Sequence, residues 1–356
     1  MKMPLRILLT FLCAALILAL PFVISSPDLL DGTKMELMNS DSGDEGEEID
    51  FGGLFLSTAR AEDELEVISV GEGQLVPHPE WALPLDFSPA PMPNPAGYTE
   101  TGYADETIQV TLEDREVQGT AVHVARVRIS DPSQLRTAIA GTKVTQDKTA
   151  TVESMATYSR AVIAMNGDCF SQHPEKKLFE YRMGQRRKAK TNKIKDTLII
   201  DRSGDFHLFV RSRGLADWAK AHEDEIANAF MFGPALVIDG ETQTTDPDYA
   251  YAPKYRNPRS AIGQTGPLSY VMVIVEGRGE DAGVTHQELA ELMKELGCLQ
   301  AYNLDGGNSA EMIMPEGYAQ GAIAAKFHYK GDQSAGTRPQ SDMIYFATAV
   351  PETSWQ

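Results

Sequence analysis

The chain has 356 residues, of which 42% are hydrophobic, and its formal net charge is −19 at pH 7. This length allows one large domain or two ordinary ones. The acidic balance argues against a protein that binds nucleic acid, because binding the phosphates needs a basic surface.

The N-terminus carries Lys2 and Arg6, followed by an apolar run from Ile7 to Ile24. A run of this length can just span a bilayer as a helix. No small-x-small cleavage site follows it directly, and the two basic residues favour a cytoplasmic N-terminus. Residues 1–27 are therefore predicted to be a signal anchor or a signal peptide. The rest of the protein is expected to be extracytoplasmic, either held at the membrane by this helix or secreted.

Residues 28–106 are predicted to be an acidic and Pro/Gly-rich linker or arm. Residues 28–50 contain nine Asp or Glu and only Lys34 as a basic residue, which is typical of a solvated spacer. The part that follows is rich in Pro and Gly and weakly periodic, as in a linker or an arm lying on a domain. The globular domain is predicted over residues 107–356.

Within that domain the sequence predicts a mixed β-sheet with packed helices, an α+β fold in a single domain. Asp131-Pro132 has the form of a helix start, and a capping box of Thr285 and Glu288 opens the clearest helix, which Gly297 ends. The remaining predicted elements are a helix over 149–158, a buried strand over 161–165, a hairpin of 197–200 with 206–210, a central strand over 268–275, and a short strand over 299–304.

Four polar clusters follow apolar segments or turns. They are Asn166–Phe170 (NGDCF), Asn257–Gly263 (NPRSAIG), Glu276–Arg278 (EGR) and Asn303–Met312 (NLDGGNSAEM). Singly, each is a common turn sequence. Together, their arginines, carboxylates, amides and glycines predict a site for a polar, anionic ligand, because arginine offers phosphate a planar fork of donors and glycine lets backbone N–H groups approach an oxyanion.

Other features give weaker signals. Ser309 lacks the G-x-S-x-G elbow of a serine nucleophile, and the histidines lack zinc-ligand spacing. The basic stretch from Arg182 to Lys195 is either a mobile surface loop or a flap that attracts a polyanion. Cys169 and Cys298 form a disulfide or are two small buried residues.

With these motifs the chain resembles the phosphodiester glycosidase family over roughly residues 122–347. The most specific part is the capped helix from Thr285, the short strand and NLDGG. NGDCF, RSAIG at Arg259–Gly263 and RPQSDMIY at Arg338–Tyr345 match further family segments, and EGR stands where the family has Asp-Gly-Arg. The resemblance implies hydrolysis of a sugar-1-phosphodiester, such as one of N-acetylglucosamine (GlcNAc), at the glycosidic C–O bond, on a cell-envelope or exopolysaccharide substrate.

The resemblance also implies roles for individual residues. Asp305 is the leading carboxylate, as nucleophile or base, and Glu276 is the second one. Glu311 is expected to lie behind them, away from the substrate. The predicted substrate-binding residues are Arg259, Arg278, Asn166, Gly167, Asp168, Gly306, Gly307, Asn308 and Ser309.

Two other functions stay open at this point. One is a non-catalytic protein that binds an anionic glycan or assists exopolysaccharide assembly, and the other is a phosphodiesterase that cleaves P–O. No motif requires a cofactor, although carboxylates and amides would suit Ca²⁺ or Mg²⁺. The expected partners are a phosphate-linked sugar or anionic glycan and, through the N-terminal segment, a membrane.

Overall fold

The computed structural model describes residues 69–70, 73–146, 148–168, 179–189, 195–250, 252–315 and 327–355. The predicted membrane segment, residues 28–68 of the predicted linker and the Cys169 end of the predicted disulfide lie outside these ranges. Among the helices within them, none has both the length and the apolar character needed to cross a bilayer.

The α+β prediction is wrong, because the described fold is built mainly of antiparallel sheets. Its α-helices are short: α1 (Val152–Ser159), α2 (Leu215–Ala221) and α3 (His286–Glu295). The helix predicted to start at Asp131 is a single 3₁₀ turn, Pro132–Gln134, even though Asp131 and Gln134 form a capping box. The next residues are all buried and pair as a strand, so burial in a sheet overrides the local helix signal.

The long sheet has nine antiparallel strands. In spatial order they are β15 (Glu241–Thr242), β14 (Ala235–Ile238), β18 (Gln300–Asn303), β16 (Arg259–Gly266), β17 (Ser269–Val275), β6 (Thr120–Ile129), β5 (Ile108–Val117), β4 (Gly102–Ala104) and β3 (Tyr98–Thr99).

The site sheet has five antiparallel strands, in the order β20 (His328–Lys330), β19 (Glu311–Ile313), β8 (Ile163–Asn166), β21 (Asp342–Phe346) and β7 (Leu135–Ile139). The third sheet has the order β10 (Gln185–Ala189), β9 (Phe179–Arg182), β13 (Ile226–Phe230), β11 (Thr197–Asp201) and β12 (Phe206–Phe209). A separate pair joins β1 (Ser69–Val70) to β2 (Gly73–Gln74).

The largest hydrophobic core draws side chains from all three large sheets, among them Ile262, Met165 and Phe230. A second core lies between the long sheet and α3, whose Leu289, Leu292 and Met293 are buried. The predicted capping box is confirmed there, since Thr285 accepts from the amide of Glu288 and the Glu288 carboxylate accepts from the amide of Thr285. The predicted hairpin is also confirmed, as β11 paired with β12.

Residues 73–106 contact the domain along much of their length. Tyr98 and Tyr103 are part of the largest core. The buried guanidinium of Arg136 donates to the carbonyl oxygens of Pro84 and Asp86, each at 2.9 Å.

The strand register brings three of the four predicted polar clusters to one edge of the long sheet, and the fourth, which starts at Asn166, follows β8 of the site sheet. Arg259, at the start of β16, pairs with Val275 at the end of β17, and Ala261 pairs with Asn303 at the end of β18. From Asn303 the chain crosses to the site sheet, where β19 pairs with β8. Asp305 lies in this crossing, between two sheets that hold it from both sides.

Candidate active site

The backbone of Asp305 is fixed by residues from two predicted clusters. Its carbonyl oxygen accepts hydrogen bonds from Asn166 Nδ2 at 2.7 Å and Ser260 Oγ at 2.9 Å, and its amide donates to the carbonyl of Gly167 at 3.2 Å. Asn166 and Ser260 are fully buried. The Asp305 turn is therefore a rigid part of the fold, as a group placed for chemistry requires.

The carboxylate of Asp305 is paired with Arg338, which the sequence did not predict as a site residue. Arg338 Nη2 donates to Asp305 Oδ2 at 2.5 Å, and its Nε donates to Ser309 Oγ at 2.5 Å. The amide of Arg338 also donates to the carbonyl of Asn308. One arginine thus contacts three residues of the predicted cluster, and its side chain is 36% exposed.

Gly306 and Gly307 are required by close approaches. A Cβ on Gly306 would lie 2.6 Å from the carbonyl oxygen of Pro258. Gly307 has a φ of +62°, and a Cβ there would lie 3.1 Å from both terminal nitrogens of Arg278. The glycines therefore let the turn pack against Pro258 and place the guanidinium of Arg278 directly over Gly307.

Arg278 is held from the side by two acceptors. Its Nη1 donates to Asp332 Oδ2 at 2.9 Å and its Nη2 to Asn257 Oδ1 at 3.3 Å. Burial raises the pKa of Asp332, but hydrogen bonds from Ser334 and Arg278 outweigh it, and the net shift is downward. Arg278 thus lies beside an ionised carboxylate and keeps a side chain that is 46% exposed.

Glu276 is 20% exposed and hydrogen-bonded to His123, not to Asp305. Its Oε1 lies 2.8 Å from His123 Nε2, and His123 Nδ1 lies 2.6 Å from Asp114 Oδ1. The imidazole also stacks on Tyr329 with ring centroids 4.1 Å apart. His123 therefore fixes Glu276 at the end of β17, two residues before Arg278.

Arg259 lies at the same edge but donates to backbone carbonyls. Its Nε bonds to Val284, and its Nη2 bonds to Ala252 and Tyr255 at 3.0 and 2.8 Å. Burial and the neighbouring charge of Arg278 lower the pKa of Arg259 to about 10. Its phosphate-binding role stays a prediction, and its described contacts anchor the loop before β16.

Asp168 lies in a buried ion-pair cluster. Arg182 Nη2 donates to Asp168 Oδ1 at 2.8 Å, and Arg182 Nε donates to Asp342 Oδ2 at 2.8 Å. The amide of Met231 donates to the other oxygen of Asp168. A Cβ on Gly167 would lie within 2.5 Å of the Asp342 carboxylate, so this glycine makes room for the cluster. Gly167 also supports the Asp305 turn directly, because its carbonyl accepts from the amide of Asp305.

Glu311 is buried, and its Oε1 lies 2.5 Å from His328 Nε2. Its amide donates to Asn166 Oδ1 at 3.1 Å, which places it behind the Asp305 turn. His328, Tyr329 and Asp332 belong to one short segment, 328–332, which contacts Glu311, His123 and Arg278 in turn. Sequence reasoning missed this segment because it carries no family motif and no local spacing signal.

The other predictions have mixed outcomes. In the described part of the basic stretch, Arg186 pairs with Glu223, and Arg187 lies 3.4 Å from the carboxylate of Glu180. Cys298 is buried, which raises the pKa of its thiol to about 12.

Within the described ranges no group of three or more His, Cys, Asp or Glu could hold a metal ion. Because Arg182 already bonds Asp168 and Asp342, those two carboxylates do not fit a cation.

Comparisons with known proteins bear on this arrangement. Residues 159–347, just over half of the chain, match the model of the family described as phosphodiester glycosidase. This range contains all four predicted clusters as well as Arg338, Asp332 and Arg182.

A curated protein that resembles this chain is the SPbeta prophage-derived uncharacterized protein YomE of Bacillus subtilis (strain 168), 33% identical over 92 residues. That stretch is 26% of this chain and only 14% of the prophage protein.

Two solved structures match part of this chain. One is the catalytic domain of zebrafish N-acetylglucosamine-1-phosphodiester α-N-acetylglucosaminidase, auto-inhibited by its pro-peptide, with a TM-score of 0.51 and 16% identity. The match covers 70% of this chain and 87% of the zebrafish domain. The other, a hypothetical protein from Synechocystis, has a TM-score of 0.45 and 15% identity over 67% of this chain and 62% of its own.

Proposed function

Because the chain belongs to the phosphodiester glycosidase family, we propose that it hydrolyses a sugar-1-phosphodiester at the glycosidic C–O bond. The observation that carries the proposal is the Asp305 turn. A carboxylate paired with Arg338 stands at one end, and the guanidinium of Arg278 lies over Gly307 at the other. A carboxylate suits the developing positive charge of the sugar, and an arginine suits the phosphate.

The chemistry follows from the leaving group. When the C–O bond breaks, the electron pair stays on the oxygen of the phosphomonoester, which is already a stable anion, so the demand for a general acid is low. The anomeric carbon then gains the oxygen of water. Asp305 either attacks that carbon first or takes a proton from the attacking water. Arg278 holds the phosphate in both cases.

The sugar is proposed to be GlcNAc. The support is the name of the zebrafish enzyme, whose catalytic domain has a similar fold. A cell-envelope or exopolysaccharide substrate and an extracytoplasmic location are also proposed, on the apolar run at residues 7–24. Protease accessibility of the full chain in intact cells would test the location, and digestion only after lysis would contradict it.

The direct test is incubation of the full chain with the methyl phosphodiester of GlcNAc-1-phosphate in oxygen-18 water. We expect free GlcNAc carrying the label and unlabelled methyl phosphate. Label in the phosphate would instead identify a phosphodiesterase that cleaves P–O. Binding of the diester without turnover would favour a glycan-binding protein. Asp305→Asn is the control for contaminating activity.

A further inference from the structure

The guanidinium of Arg278 is only partly used by the protein. Of its five N–H groups, one on Nη1 donates to Asp332 and one on Nη2 donates to Asn257. The other three find no acceptor among the residues that the structure describes. We propose that Asp332 is a positioning residue, which fixes Arg278 for a phosphodiester and disfavours a phosphomonoester. This inference rests on the proposed function and adds a specificity determinant to it.

Asp332 is itself held rigidly. Its Oδ1 accepts from the amide and hydroxyl of Ser334, at 2.9 and 2.7 Å, and from the amide of Ala335 at 3.2 Å. Its side chain is almost fully buried, whereas that of Arg278 is open to solvent. The buried carboxylate therefore fixes the direction of the more exposed guanidinium.

The backbones on either side of this pair are also joined. The amide of Gly277 donates to the carbonyl of Gly331 at 2.9 Å, and the amide of Gln333 donates to the carbonyl of Gly277 at 3.0 Å. Arg278 has a φ of +64°, a left-handed conformation that is uncommon for a non-glycine residue and costs free energy. Segment 328–332 thus aims Arg278 across Gly307 and toward the Asp305 turn.

The charges explain the preference for a diester. Asp332 offsets the charge of Arg278, and Asp305 offsets that of Arg338. These four groups together are close to neutral, so the unused N–H groups of Arg278 can bind a singly charged diester without strong repulsion from the two carboxylates. A doubly charged monoester would bring a second negative charge next to two carboxylates, which repel it.

The test compares wild type and Asp332→Asn in the full chain at pH 8. The substrates are the methyl phosphodiester of GlcNAc-1-phosphate and GlcNAc-1-phosphate itself. We expect the KM for the diester to rise by about tenfold or more, as for a misplaced binding group, while the preference for diester over monoester falls. Asp332→Glu should recover part of both effects, because it restores the charge.

Asp201 supplies a matched control. Like Asp332, it accepts two backbone amides on Oδ1 and holds a basic side chain on Oδ2, here His207 at 2.8 Å. Asp201→Asn should lower thermal stability and leave KM and the diester preference unchanged. If Asp332→Asn stays folded with both kinetic values within twofold of wild type, or if Asp201→Asn changes them equally, the inference is wrong.

If the wild-type chain turns over no diester, the proposed function is wrong. Binding affinities from calorimetry would then test the positioning role of Asp332 by themselves. In that case the probe is the methyl phosphodiester of GlcNAc-1-phosphate, which would then bind without being hydrolysed. Weaker binding by both Arg278→Ala and Asp332→Asn would support the positioning role. No binding by wild type, or an unchanged affinity of Asp332→Asn, would overturn it.

Discussion

Arg338 donates to the Asp305 carboxylate and to the Ser309 hydroxyl, both at 2.5 Å. A single guanidinium thus bridges the two ends of the Asp305 turn. In the proposed function this turn lies next to the anomeric carbon of the sugar. Arginine can only donate hydrogen bonds, so Asp305 Oδ2 is an acceptor in this pair. That arrangement fits a nucleophile or base, and it leaves Oδ1 for the anomeric carbon or the water.

Asp305→Asn should therefore abolish most activity without unfolding the protein. The backbone contacts of Asp305 with Asn166, Ser260 and Gly167 remain, so the turn keeps its place. We expect kcat on the GlcNAc diester to fall by about 10²- to 10⁴-fold. Arg338→Lys keeps the positive charge but loses the planar fork of donors. Its kcat should lie between those of wild type and Asp305→Asn. Near-normal turnover by folded Asp305→Asn would rule out its catalytic role.

The contribution of Glu276 to kcat should depend on its hydrogen bond to His123. Glu276→Gln removes the second carboxylate, and His123→Phe keeps a ring to stack on Tyr329 but loses the bond to Glu276. If Glu276 acts in the reaction, both changes lower kcat, and the double variant loses less than the product of the two losses because they act as a unit. Asp114→Asn, at a 72% exposed side chain, is the mild control. Unchanged kcat in Glu276→Gln would make Glu276 a structural residue.

The cluster of Asp168, Arg182 and Asp342 should contribute stability, not substrate contact. All three side chains are fully buried, so removing one partner leaves a buried charge uncompensated. Arg182→Met should lower the free energy of unfolding by about 3–5 kcal/mol in a urea titration. Asp168→Asn should likewise destabilise the fold. The opposite pattern, a raised KM at unchanged stability, would return Asp168 to the substrate site.

Local signals in the sequence predicted much of what positions Asp305. The capping box at Thr285 and Glu288, the strand after Gly297 and the glycines of NLDGG are each read from neighbouring residues, and the structure has all of them. The predicted fold class was wrong because strand pairing depends on residues that are far apart in the sequence. Single helix starts such as Asp131 are local, whereas the pairing of Leu135–Ile139 with β21 depends on residues about two hundred positions later.

The partners of the site residues had no local signal at all. Arg338 is 33 residues from Asp305, Asp332 is 54 from Arg278, and His123 is 153 from Glu276. His123 and Glu276 meet because β6 pairs with β17 in the long sheet, whereas the other two pairs join residues that follow β17 and β18 of the long sheet to residues between β20 and β21 of the site sheet. No periodicity within a window reports either kind of contact. The sequence shows which residues are acidic or basic, but it does not show which of them lie next to each other in the fold.

The arm before residue 107 should be needed for folding. A chain that starts at Thr107 loses Tyr98 and Tyr103 from the largest core, at about 3–5 kcal/mol for each large aromatic. It also loses the carbonyls of Pro84 and Asp86 that satisfy Arg136. We expect this chain to be unfolded or to melt far below a chain that starts at Leu75. Equal melting temperatures would show that the arm is dispensable.

His286 should make the fold sensitive to acid. It is fully buried at the start of α3, and neither ring nitrogen has a partner among the described residues. Burial, with a smaller contribution from the charge of Arg259, lowers the pKa of His286 to about 2. The folded protein therefore holds this ring neutral, while the unfolded chain takes up a proton as the pH falls below about 6.5. Stability is lost from that pH downward, at up to about 1.4 kcal/mol per pH unit.

His286→Leu should remove this loss, because leucine fills a similar space and does not titrate. Between pH 7 and pH 5, the free energy of unfolding of wild type should fall by up to about 2 kcal/mol more than that of the variant. Urea titrations at the two pH values measure the difference. Gln287→Leu, a non-titrating neighbour on the same helix, should follow wild type. If His286→Leu loses as much stability as wild type over this interval, the acid sensitivity arises from other groups, because the neutral buried imidazole would then contribute nothing to it.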